Sequence, residues 1–139
     1  TTQAQILTLM QGLQEELGMA IIFITHDLGV IAQMADYVVV MYLGEVVEMA
    51  DVDAIFYDPK HPYTQSLLRS IPLLGRKSAE HKTSRLTAIR GAVPDPYSIP
   101  TGCPFHPRCP QAIKGVCDRR TPPFLELDGS HKVRCVLYE

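Results

Sequence analysis

No apolar run in this sequence approaches the length of a membrane-spanning helix, and its first residues lack the charged-then-apolar layout of a secretory leader. Those absences point to a cytoplasmic protein. Excess positive charge is missing as well: the formal net charge is −2, so no general basic field draws in nucleic acid. Internal repeats and low-complexity tracts are absent. So is an initiator methionine, since the chain opens on Thr1-Thr2-Gln3 and runs directly into a helical pattern, as a piece of a longer protein would.

What is present suits one globular domain: 139 residues, 46% of them hydrophobic and 20% charged, are enough to bury a core. Residues 2–17 form an amphipathic pattern with Ile6, Met10, Leu13 and Leu17 on one stripe, ended by Gly18. The next stretch, Met19 to Asp27, carries an apolar run through Ile24 and then Thr25, His26 and Asp27. An unbroken apolar run of this kind predicts a strand buried on both faces of a parallel sheet. Ligands of open α/β sheets bind beyond the carboxyl ends of the strands, which makes His26 the first candidate functional residue. Thr25, His26 and Asp27 are not a catalytic triad, because adjacent residues of an extended chain point to opposite faces. Asp27 instead suits the cap of a second helix with Leu28, Ile31, Ala32 and Ala35 inside.

Further on, residues 37–43 and 45–49 alternate as two strands around Gly44, an antiparallel hairpin at a sheet edge. A short helix is expected over 52–57, and Pro62 opens another with Leu67, Leu68 and Ile71 on its apolar side. His61 and Tyr63 have local structural duties there: Tyr63 packs against the hairpin. Residues 73–85 read as a solvated linker of mixed charge, and 86–93 as one more short strand.

The last quarter differs in kind. Of eleven prolines, eight fall from Pro94 onward, which argues for a module built of loops. All four cysteines lie there, spaced Cys103-x5-Cys109-x7-Cys117-x17-Cys135. Four thiolates can close a zinc site or hold an iron-sulfur cluster, and this spacing matches neither a zinc ribbon nor a ferredoxin, so the metal stays open on spacing alone. His106 and His131 are near enough in sequence to be alternative ligands.

Five stretches carry a family likeness: Thr-Gln-Ala-Gln-Ile-Leu at 2–7, Ile-Thr-His-Asp-Leu-Gly-Val at 24–30, Val-Met-Tyr-Leu-Gly-Glu-Val-Val-Glu at 40–48, His-Pro-Tyr-Thr at 61–64 and Gly-Cys-Pro-Phe-His-Pro-Arg-Cys at 102–109. The sequence resembles the C-terminal portion of the ATP-binding subunits of oligopeptide and dipeptide ABC transporters. That resemblance implies an α/β fold: residues 1–58 as the C-terminal part of an ABC-type P-loop ATPase domain, 59–85 as helix and linker, and 86–139 as a loop-rich cysteine module. It implies that His26 is the switch histidine contacting the γ-phosphate of ATP, both catalytic and nucleotide-binding, and that Cys103, Cys109, Cys117 and Cys135 hold a [4Fe-4S] cluster, with zinc the alternative. Mg would accompany ATP in the full-length protein only. The implied partners are a second ATP-binding subunit, membrane permease subunits at the cytoplasmic face, and the N-terminal half of the same ATPase.

The phosphate-cradling Gly-x-x-x-x-Gly-Lys-Ser/Thr loop does not occur in these residues, nor does the family's signature motif or catalytic glutamate. The expectation is therefore a fragment of a peptide-importer ATPase, inactive alone, whose uncovered sheet self-associates. A stand-alone metal-binding interaction module is the other reading.

Overall fold

The computed structural model describes residues 2–70 and 89–139. Helix α1 spans Thr2–Leu17 and stops where expected: Gly18 takes a left-handed φ of 61°, and the Met19 N–H reaches back to the Gln14 carbonyl at 3.3 Å. Its apolar stripe does not find a core. Leu7 is buried, whereas Ile6, Leu9, Leu13 and Leu17 are exposed.

The parallel strand expected over 19–27 is not formed. Ile22 and Ile24 are 88% and 98% exposed, and no ladder bond reaches them among the described residues. The reason is physical: a parallel strand exists through the hydrogen bonds of its neighbours, and among the described residues no segment runs alongside to supply them. Helix α2, Leu28–Met34, begins as its sequence demands, with the Asp27 carboxylate accepting from the Gly29 and Val30 N–H groups at 2.9 and 3.2 Å. Those N–H donors, Val30 foremost, with the Gln3 side chain, hold the Asp27 carboxyl below its ordinary range.

Strands β1, Tyr37–Tyr42, and β2, Glu45–Asp51, form the predicted antiparallel hairpin. The two turn residues Leu43 and Gly44 both have positive φ, 48° and 81°, matching the right-handed twist of the strands. A register shift between Val40 and Met41 leaves Val47 as an extra residue on β2, a bulge. The bulge breaks strict alternation. It lets Val47 and Glu48, adjacent in sequence, both be buried.

Helix α3, Val52–Tyr57, follows at once and packs Ile55 against Val38 and Ala50 as one small core. Helix α4, Pro62–Arg69, starts on Pro62 as expected. The hairpin is not left as a bare edge pair, because two two-residue strands, β3 (Leu125–Glu126) and β4 (Lys132–Val133), extend it in the order β1-β2-β4-β3. Every pairing in this sheet is antiparallel. Residues 89–93 do not form the predicted strand, and the remainder of that prediction, like the charged linker, lies outside the described residues.

Candidate functional site

The second core contains Tyr42 of β1, Val47 of β2 and Phe105, with Tyr63, Cys103 and Cys109 packed against it. Three of the sequence stretches singled out above therefore meet in one place. Tyr42, Tyr63 and Phe105 stand ring against ring, with centroids 4.8 to 5.3 Å apart and tilted or edge-on, as the ring quadrupoles prefer.

Behind Phe105 lies a small cleft whose walls include Cys103, Cys109, Cys117 and Cys135, together with His61 and His106. Local backbone geometry brings the first and third cysteines together: the Cys103 N–H bonds the Cys117 carbonyl at 2.8 Å, and a short 3₁₀ turn at His106–Arg108 carries the chain on to Cys109. Gly102 makes that approach possible. Its φ is 76°, and a Cβ there would stand 2.3 Å from the Cys117 carbonyl oxygen. Thr101 and Thr121 hydroxyls, donating to the Asp118 and Gly102 carbonyls at 3.0 Å, seal the same junction.

The Cys117 sulfur accepts the Ile113 N–H at 3.3 Å, and the backbone N–H groups of Phe105 and His106, of Gln111 and of Leu137 favour the thiolates of Cys103, Cys109 and Cys135. Burial nonetheless dominates, raising the thiols of Cys103 and Cys109 and pushing Cys135 up to about 11. Among the described residues no three His, Cys, Asp or Glu side chains form a group that could hold a single metal ion. All four cysteines nonetheless line the same cleft.

The two histidines on the cavity wall are held differently. His61 caps α4, its Nδ1 accepting from the Tyr63 N–H at 3.1 Å, and burial alone drops its imidazole to about 4, so the ring is neutral. His106 Nδ1 lies 2.9 Å from the Cys103 carbonyl, to which it donates. His131, the other suggested ligand, is not on the cavity wall. Its Nε2 sits 2.8 Å from a carboxylate oxygen of Glu48, which is completely buried and also accepts the Lys60 and His61 N–H groups at 2.6 and 3.0 Å. Glu48 thus joins β2, the start of α4 and the loop before β4. Sequence reasoning missed this hub, although a charged residue between Val47 and Met49 of a strand was the available signal.

His26 is exposed, beside the Thr25 hydroxyl that accepts the Asp27 N–H at 3.0 Å, and it does not line the cysteine cavity. The structure brings the four cysteines together and leaves His26 apart from them.

Comparison with known proteins names a family for the chain. Residues 47–117, just over half of the chain, match the family model for the oligopeptide/dipeptide transporter C-terminal region. The chain belongs to that family. Its whole length is 47% identical to the oligopeptide transport ATP-binding protein AppD of Bacillus subtilis, covering 40% of that protein, and 48% identical to the dipeptide transport ATP-binding protein DppD of the same organism, again covering 40%. DppD of Haemophilus influenzae is 48% identical over 97% of this chain and 39% of its own length. The chain thus spans about two fifths of these peptide-transporter subunits. The region matched by the family model contains the last five residues of β2, the His-Pro-Tyr helix and three of the four cysteines.

Proposed function

We propose that this chain works as the C-terminal part of the ATP-hydrolysing subunit of a peptide importer, at the cytoplasmic face of the membrane beside permease subunits and a second ATP-binding subunit. The observation that carries this reading is the match to AppD and DppD over the whole chain, from α1 through the cysteines, which a stand-alone metal module would have no reason to share. His26 supplies the γ-phosphate contact. An imidazole at that position gives a directed hydrogen bond to a phosphate oxygen as charge moves, and positioned electrostatics supplies most of the catalysis in phosphoryl transfer. ATP and Mg are held by residues outside this sequence, so the isolated chain neither binds ATP tightly nor hydrolyses it. The uncovered faces of α1 and residues 19–24 pack, in this reading, on the front half of the same nucleotide-binding domain.

The cysteine module takes a [4Fe-4S] cluster on Cys103, Cys109, Cys117 and Cys135. A tetrahedral zinc draws four sulfurs to about 2.3 Å from one point. Four thiols on the wall of one cleft, with no three of them grouped for a single ion, suit a cluster with one thiolate on each iron better than a lone metal. The group's role is to complete the fold of a module with little core of its own.

The test is a chimera in which this chain replaces the matching C-terminal part of AppD. Phosphate release that falls on the order of 10²-fold with His26→Ala supports the reading, and a fully active His26→Ala chimera overturns it. Anaerobically purified protein should be brown and carry ~4 iron atoms per chain; stoichiometric zinc without iron sinks the cluster assignment.

A further inference from the structure

His61 does more in this structure than cap a helix. Its Nδ1 is occupied by the Tyr63 N–H, so this nitrogen carries no proton and the ring proton sits on Nε2. Nε2 has no protein partner among the described residues, yet the ring is 99% buried and forms part of the cysteine cavity wall. His106 has the opposite arrangement: it donates from Nδ1 to the Cys103 carbonyl, which leaves its Nε2 bare. Of the two imidazoles facing the cavity, only His61 offers a side-chain N–H. The ring is also fixed in place, by the cap bond, by its own backbone N–H on the buried Glu48 carboxylate, and by Phe105 at 6.0 Å between ring centroids. His61 lines the same cleft as all four cysteines, so its ring borders whatever group the sulfurs hold there.

We propose that the Nε2–H of His61 donates a hydrogen bond to sulfur in this cavity and thereby raises the reduction potential of the cluster it holds. The inference rests on the cluster reading above. A reduced cluster carries one more negative charge than an oxidised one, so a directed N–H donor stabilises the reduced form more strongly. His61 is a positioning and tuning residue, not a ligand.

Two substitutions separate capping from donation. His61→Asn puts a carbonyl oxygen near the position of Nδ1, preserving an α4 cap, and has no atom at Nε2. His61→Gln reaches the Nε2 position with an amide N–H and loses the cap. The full chain and both variants are purified anaerobically, checked for iron and sulfide, and titrated with dithionite as the one-electron reductant. His61→Asn should lower the reduced-to-oxidised ratio at a fixed potential about tenfold, a shift of about 59 mV, at unchanged iron content. His61→Gln should keep the potential and lower the melting temperature. An iron-loaded His61→Asn protein with an unshifted potential overturns the proposal, whereas absence of iron from the parent chain overturns the cluster reading instead. Should neither variant load, nitrogen-15 NMR of the parent decides: a proton on Nδ1 of His61 overturns the proposal, and one on Nε2 supports it.

Discussion

The front of the chain, through Asp36, and the remainder obey the same chemistry with opposite outcomes. In front, α1 presents Leu9 and Leu17 to solvent and Ile22 and Ile24 stand nearly free, although their side chains are as apolar as any in the protein. Behind, Val47, Ala50, Ile55, Phe105 and Val133 are almost completely buried, drawn from β2, α3, the cysteine loop and β4. Apolar pattern is therefore a demand for cover, and among the described residues the second region meets most of that demand while the front, Leu7, Ile31 and Ala35 apart, largely does not. Its polar bonds tell the same story: the Glu48 hub, the Tyr138 hydroxyl on the Lys60 carbonyl at 3.0 Å and the Arg108 guanidinium on Tyr42 all cross long sequence distances.

The sharpest way to break this contrast is Gly102→Ala. A Cβ at a left-handed position, driven into the Cys117 carbonyl, should destabilise the rear region by about 3 kcal/mol or more and abolish iron loading, read by thermal unfolding and metal analysis. Helical content from α1 should change little. Next, Glu48→Ala strands the Lys60 and His61 N–H groups and His131 without their acceptor, for an expected loss of about 3 kcal/mol in denaturant unfolding.

Acid acts on the same region. His61 has an ordinary value of 6.5 and is held by burial at about 4, so the unfolded chain binds the proton first. Stability is complete above pH 6.5 and falls between 6.5 and 4, by about 3 kcal/mol in the metal-free chain. His61→Asn should flatten that part of the profile. The smallest effect is expected in front: Ile22→Lys with Ile24→Lys should shift unfolding by no more than about 0.5 kcal/mol, because neither side chain is buried. The same pair should shift light scattering toward monomer. Unfolding that moved by several kcal/mol would mean that the front is part of the cooperative core.

Local chemistry was legible before any coordinates. Asp27 as a cap, Gly18 as a stop, the turn at Gly44 and Pro62 at a helix start each follow from one residue's own backbone preferences and a few neighbours, whereas Leu43, read as strand, sits in the turn. Strand pairing was not. Residues 19–24 have the composition of a buried strand, but a strand is a relation between segments, and the sequence of one partner does not supply the other. Strands β3 and β4 are two residues each, too short for any period to register, and their identity comes from the ladder they make with β2.

For the candidate site the division is similar. Residue types and spacing marked His26 and the four cysteines as chemistry-bearing, and kinship with peptide-transporter subunits is written in the motifs themselves. Only the tertiary structure decided that four cysteines spread over some thirty residues border one cleft, and that Glu48 binds three separated segments. It also decided that His61 spends Nδ1 on the α4 cap while His106 spends its Nδ1 on the Cys103 carbonyl, both on the wall of that cleft. The reason is range: caps and turns are settled by bonds a few residues long, whereas a cavity exists only once distant segments have closed around it.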